Sequence, residues 1–300
     1  MEQTVMRENK LREEKGWLIR MERNFIEMLT KKWREDKGKF VCVGLDSDYE
    51  KLPKCMKTKS AGNSILAFNK VIIDQTKDLV CAYKPNRSFY AAHGHLGIKA
   101  LRDTISYIKK VAPDVPVIVD CKEGDIGNTN DGYVGENFDY FGADAVTLHN
   151  YLGKESLSPF LKKANKGCIV LCRTSNPGAG EFQDLIVGGM PLYQYVAQRV
   201  SREWNENGNC LLVVGATYPE ELGEVRKIVG NMPILIPGIG AQGGDIEKAV
   251  LNGQDSNGEG MIINSSRGII FASKDRNFGE VARLETKILS NEINKYRIRS

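Results

Sequence analysis

No stretch of the 300-residue chain approaches the roughly 18 consecutive apolar residues that a membrane-spanning helix needs. The first twenty residues, MEQTVMRENKLREEKGWLIR, carry charge but no apolar core followed by a small-residue cleavage site, so a secretory leader is not expected. Excess charge is also missing. Lys and Arg number 42 against 38 Asp and Glu, for a formal net charge of +4, which is too balanced for the basic face of a nucleic-acid binder. There are only three histidines, and seven cysteines that form no CxxC pair, so neither a metal site nor a disulfide framework is indicated. A cytoplasmic protein with reduced core thiols is the expectation. The chain also lacks a GxGxxG turn after its first strand-like run, which counts against an open dinucleotide-binding sheet, the second-ranked architecture.

What the sequence does contain is alternation. Short runs rich in Val, Ile, Leu and Cys occur at residues 40–46 (FVCVGLD), 80–86 (VCAYKPN), 115–122 (VPVIVDCK), 144–150 (DAVTLHN), 167–175 (GCIVLCRTS), 210–217 (CLLVVGAT), 233–240 (PILIPGIG) and 261–266 (MIINSS). Between them, segments such as 63–78, 97–111, 192–207 and 220–229 place apolar residues at three- and four-residue spacings and read as helices. Continuously apolar strands joined by crossover helices indicate a parallel sheet covered on both faces. Eight such units predict a (β/α)8 barrel, the TIM-barrel architecture, over residues 37–300. Residues 1–36 read as an N-terminal helical extension, with Trp17, Leu18, Met21, Phe25 and Met28 at helical spacing.

Barrel sites gather at the C-terminal ends of the strands. The third strand ends in DCKEGDIGNT, residues 120–129, which clusters Asp120, Lys122 and Asp125. Two-residue alternation predicts that Asp120 and Lys122 face the same way and Cys121 the other. Gly124 gives the following loop freedom to bring Asp125 to a ligand from this subunit or a neighbour. The same spacing also suits a salt-bridged strand end that only organises a loop. Lys84 and Asn86 end the second strand and Asp46 the first, so acids and bases alternate around one side of the mouth. In PGIGAQGGD (237–245) and NSSRGI (264–269), glycine amides, Gln242, Arg267 and a helix starting near Gly244 suit a phosphate group. Ser175 and Asn176 close the fifth strand, and GAGEFQDL reads equally as a lid or a simple turn.

Taken in order, GLD, AYKPN, DCKEGDIGNT, TSNPG, PGIGAQGGD and NSSRGI resemble the orotidine 5'-phosphate decarboxylase family, in its longer-chain branch, from about Phe40 to Ala272. The resemblance implies decarboxylation of orotidine 5'-monophosphate (OMP) to uridine 5'-monophosphate (UMP), the last step of pyrimidine synthesis, with neither metal nor organic cofactor. It implies a charged network of Lys84, Asp120 and Lys122 with Asp125 from a second copy, Lys122 being the proton donor. Asp46 and Asn86 fall at ribose positions and Thr129 enters with Asp125 across a homodimer interface. Ser175 falls at the pyrimidine, and Pro237, Gln242 and Arg267 around the phosphate. Ser266, before Arg267, is a departure from the resemblance, since many shorter-chain members of that family have glycine there. A metal-dependent sugar-phosphate enzyme and a catalytically silent nucleotide binder are the competing readings.

Overall fold

The computed structural model describes residues 23–35, 37–239 and 245–298. All eight expected strands are present: β1 (Val41–Gly44), β2 (Ala82–Lys84), β3 (Ile118–Glu123), β4 (Ala145–Leu148), β5 (Gly167–Arg173), β6 (Cys210–Val214), β7 (Ile234–Pro237) and β8 (Met261–Ser265). They pair in parallel in the order β2-β1-β8-β7-β6-β5-β4-β3. The two outer strands meet through the bridges Tyr83 to Val117 and Asn86 to Asp120, where the amides of Tyr83 and Asp120 donate to Pro116 O (3.1 Å) and Pro85 O (2.9 Å). The sheet is thereby a barrel. Closure is thin here because β2 is three residues long and Pro85 and Pro116 have no N–H to donate.

The strand interiors are wholly buried, as expected for residues covered by side chains on one face and helices on the other. Expected helices occur at Ala61–Thr76, Gly94–Val111 and Pro219–Val229. The one expected over 192–207 is helical at Leu192–Arg199 and widens into a π turn at Val200–Trp204. A two-stranded ribbon, Ile186–Val187 with Met190–Pro191, was not anticipated; Gly188 and Gly189 turn it, both at positive φ.

Of the N-terminal extension, α1 (Phe25–Arg34) lies within the described residues, whereas Trp17, Leu18 and Met21 lie outside them. Asn24 caps α1 by accepting from the amides of Ile26 (3.1 Å) and Glu27 (3.2 Å). Its buried stripe is Phe25, Leu29 and Trp33, with Met28 on the flank. Phe25 sits at the start of β5. A side chain on Gly167 would come within 2.3 Å of its ring, so glycine is what admits the helix against the lower rim.

Candidate active site

The charged cluster at the barrel mouth is assembled by β2, β3 and β4. Lys84 is 4% exposed and Asp120 9%. Lys84 Nζ donates to Asp120 Oδ2 at 2.8 Å, Asn86 Nδ2 to the same oxygen at 3.3 Å, and Lys122 Nζ to Asp120 Oδ1 at 2.6 Å. Thr147 Oγ1 also donates to Asp120 Oδ1, at 2.9 Å. Burial would raise the Asp120 pKa, but Lys84 and Lys122 outweigh it and hold the carboxyl well below its ordinary range. Burial would likewise depress Lys84, and the charges of Asp120 and Asp46 overcome it to hold the ammonium above its ordinary value. Lys84 and Asp120 are both ionised at neutral pH.

Asp120 and Lys122 do meet, though not through simple alternation. The register of β3 against β4 shifts between Val119 and Glu123, and Lys122 takes φ +53°, in the left-handed region that non-glycine residues rarely occupy. Thr147 on β4 supports this turn: its Oγ1 accepts from the amides of Cys121 (3.0 Å) and Lys122 (2.9 Å) while donating to Asp120. One hydroxyl therefore fixes the backbone carrying the lysine and the carboxylate beside it. Thr147 was not picked from the sequence, where it is an ordinary β-branched strand residue. Cys121 packs against the core, and burial pushes its thiol up to about 12, which removes it as a nucleophile at neutral pH.

Two chambers open beside the cluster. One, of ≈ 410 Å³, is lined by Lys122, Thr147, Ser175, Asn176 and Gln183 among others; the second, of ≈ 210 Å³, by Asp46, Asn86, Asn264, Ser266 and Arg267 among others. Lys84, Asp120 and Pro237 line both, so they form the two ends of one mouth. A larger cleft of ≈ 810 Å³, between residues 50–57 and 274–276, contains none of the expected residues. In the smaller chamber, Asp46 Oδ1 and Asn264 Oδ1 are buried acceptors without donors among the described residues, which suits a ligand rich in hydroxyl groups. Arg267 is exposed at the first turn of a short helix, Arg267–Ile270. Ser266 is accommodated by Gly44: a side chain there would meet Ser266 Oγ at 1.9 Å. Ser175 rests against Gly215, where an added Cβ would lie 2.8 Å from its own.

Two expected residues stand apart from these chambers. Asp125 Oδ1 accepts from the Ile126 amide (2.7 Å), and its own amide donates to Asn130 Oδ1 (3.1 Å). Thr129 is exposed on the helix Gly127–Val134, next to Ile126, which is 57% exposed. Gly124 is required for a different reason from the one inferred: its φ is not positive, and a side chain would strike the His149 ring at 2.5 Å. Gln242 lies outside the described residues. The helix expected near Gly244 begins at Ile246, where the side chain of Asp245 accepts from the Lys248 amide at 3.2 Å. A carboxylate thus occupies that N-terminus, and Arg267 is the exposed cation, Lys84 the buried one, among the described residues of this chamber. No group of three His, Cys, Asp or Glu placed to hold a metal occurs among the described residues, and no helix there is long and apolar enough to cross a membrane.

Residues 39–280 match the family described as orotidine 5'-phosphate decarboxylase / HUMPS family. A relative from Cellvibrio japonicus (strain Ueda107), named orotidine 5'-phosphate decarboxylase, is 47% identical over 271 residues, covering 90% of this chain and 98% of the relative. One of the same name from Janthinobacterium sp. (strain Marseille) is 48% identical over 275 residues, covering 91% and 98%. Among solved structures, OMP decarboxylase from Leishmania donovani superposes with a TM-score of 0.79 at 36% identity, covering 91% of this chain and 98% of that one.

Proposed function

The chain belongs to the orotidine 5'-phosphate decarboxylase / HUMPS family, and from that premise we propose the role each pocket residue takes in its reaction. That reaction is the decarboxylation of OMP to UMP and carbon dioxide in pyrimidine biosynthesis. Breaking the bond from C6 to the carboxylate leaves an electron pair on a vinylic carbon that has no carbonyl positioned to accept it. A fixed ammonium close to that carbon stabilises the charge as it develops. Lys122 supplies this ammonium and then its proton. Asp120, buried between two lysines, fixes Lys122 and lies beside the departing carboxylate. Lys84 keeps Asp120 ionised and in place. The observation that carries this assignment is the buried chain from Lys84 through Asp120 to Lys122, which opens on a cavity of nucleotide scale.

In the same reading Asp46 and Asn86 bind the ribose, Ser175 the pyrimidine, and Pro237, Gln242 and Arg267 the phosphate. Remote phosphate contacts then hold the nucleotide where the chemistry needs it. Asp125 and Thr129 act on the site of a second copy in a homodimer, a reading supported by their position away from their own chambers, Asp125 half-buried and Thr129 exposed. Residues 1–36 are read as an extension ahead of the 37–300 barrel, and its described helix α1 packs on the lower rim. Seven free cysteines fit a reducing, cytoplasmic setting. The charge and the proton both come from side chains, so turnover needs no metal.

The first test follows loss of OMP absorbance with and without EDTA. EDTA-insensitive formation of UMP is expected; metal-dependent turnover overturns the side-chain mechanism. A second test mixes Lys122→Ala and Asp125→Ala proteins, each inactive alone, under conditions that exchange subunits. If the sites are shared, random re-association restores one intact site in the mixed dimers, roughly a quarter of wild-type activity. No recovery despite subunit exchange removes Asp125 from the neighbouring site.

A further inference from the structure

The segment from Thr174 to Asp184 leaves β5, roofs the larger chamber and returns toward the helix Leu192–Arg199. Its two ends are tied together by one side chain. Gln183 Oε1 accepts from the Thr174 amide at 2.9 Å, and Gln183 Nε2 donates to Thr174 Oγ1 at 2.9 Å. The Thr174 hydroxyl, having accepted that bond, donates to Asn176 Oδ1 at 2.6 Å. Donors and acceptors thus run in one consistent direction, and the residues on either side of Ser175 are both fixed by it. Just outside this tie, Arg173, 3% exposed, reaches Asp184 Oδ1 at 3.1 Å and stacks its guanidinium 4.1 Å from the Tyr218 ring centre. From the opposite side Gly215 bounds Ser175, its Cβ position lying 2.8 Å from Ser175 Cβ and 3.1 Å from Ser175 N. Ser175 is held between a hydrogen-bonded tie and a glycine surface.

We infer that Gln183 is a positioning residue for recognition of the pyrimidine: it spends both ends of its carboxamide on Thr174 and so sets where Ser175 presents its hydroxyl to the base. This rests on the reading above that Ser175 faces the pyrimidine. Gln183 also forms part of the wall between the larger chamber and a neighbouring apolar cavity of ≈ 680 Å³ lined by Tyr151, Phe182, Tyr193 and Trp204. With a cavity behind Gln183, the tie and the Arg173–Asp184 pair hold this end of the roof, while Ala179 packs its middle. Among the described residues, none lining the smaller chamber bonds to Gln183, Thr174 or Asn176 in this tie.

Gln183→Leu keeps the size of the side chain and removes both bonds. The test compares wild type, Gln183→Leu, Ser175→Ala and the double variant for turnover of OMP, for inhibition by UMP, which has the base, and for inhibition by ribose 5-phosphate, which lacks it. Gln183→Leu is expected to raise the KM for OMP and weaken UMP by roughly ten- to hundredfold, the range for losing a small hydrogen-bond network. Ribose 5-phosphate is expected to stay within about twofold of wild type. The double variant should lose less than the product of the single losses, since both act through one contact. Equal weakening of UMP and ribose 5-phosphate would mean a general structural role and overturn the inference, as would no change in either. Should Ser175→Ala shift the UMP to ribose 5-phosphate ratio while Gln183→Leu does not, only this inference fails. Should Ser175→Ala leave the ratio unchanged, the assignment of Ser175 to the base fails and takes the inference with it.

Discussion

Each end of the barrel buries an ammonium group between carboxylates, yet the two ends do different work. At the lower rim Lys32, with its side chain 2% exposed, bonds Glu35 at 2.8 Å and also Asp114. At the mouth Lys84, 5% exposed at its side chain, bonds Asp120 at 2.8 Å. Burial lowers both lysines and their acid partners more than compensate, so both stand above the ordinary range. Neither burial, pairing nor a shifted pKa separates a structural ion pair from a candidate catalytic one. The lower cluster closes on itself: Lys39 pairs with Glu35, and the cluster lies under α1 with no chamber beside it among those described above. At the mouth the chain continues through Asp120 to Lys122, whose side chain is 49% exposed and faces a cavity. A strained backbone does not separate them either, since Lys37 beside the lower cluster takes φ +66° and Lys122 φ +53°; access to a cavity is what marks the mouth as the candidate functional end.

The sharpest break in this comparison is Lys122→Ala. Removing both the charge and the proton donor should lower kcat by roughly 10⁴-fold or more, while UMP still binds and the melting temperature holds, since a half-exposed lysine contributes little to stability. Single-turnover kinetics with UMP titration checks it, and near-normal kcat would reduce the mouth to the status of the lower rim. Thr147→Val comes next. It keeps the β-branched shape but removes the acceptor of two amides and a donor to Asp120, so Lys122 loses support for its positive φ. A fall in kcat of roughly tenfold to a thousandfold is expected, larger than any change in KM.

Lys32→Met addresses the other end. It leaves Glu35 and Asp114 without their buried partner, but both are partly exposed and regain water, so a loss of about 1–3 kcal/mol is expected, with kcat unchanged below the unfolding temperature. Thermal unfolding combined with the OMP assay measures both. The smallest expected effect is in the pH profile of stability. Asp120, Glu35 and Asp114 all titrate below their ordinary values, so their stabilisation is present above about pH 4 and is lost as pH falls through their folded-state pKa values. Lys84 and Lys32 are raised, so theirs is present below about pH 10 and is lost as pH rises through the folded-state values. Melting curves across pH should therefore show a broad plateau with an acid fall, and the gap between wild type and Lys32→Met should narrow below about pH 4. A constant gap would show that Lys32 acts through packing rather than charge.

The parallel sheet was legible because the interiors of β1 to β8 are buried on both faces, which leaves continuous apolar runs, and eight units without a GxGxxG turn favoured a barrel over an open sheet. Polar residues ending those runs likewise marked Asp46, Lys84, Asn86, Asp120, Lys122 and Arg267 as residues of the mouth. Thr147, Gln183 and Asn264 were not legible, since each matters through a partner far away in sequence: Thr147 through the amides of Cys121 and Lys122, Gln183 through Thr174 across the roof, and Asn264 through the chamber it shares with Asp46. The glycines divide in the same way. The Gly188–Gly189 turn follows from its backbone dihedrals and was readable in principle, whereas Gly124 and Gly167 are glycine because His149 and Phe25 pack on them. Residue chemistry and periodicity act locally along the chain, so sequence alone determined the strands, the end of the barrel that carries the charges, and the family. Which hydroxyl turns Lys122 toward Asp120, and which of two buried lysines opens on a cavity, depend on contacts between strands tens of residues apart, and only the tertiary structure decided them.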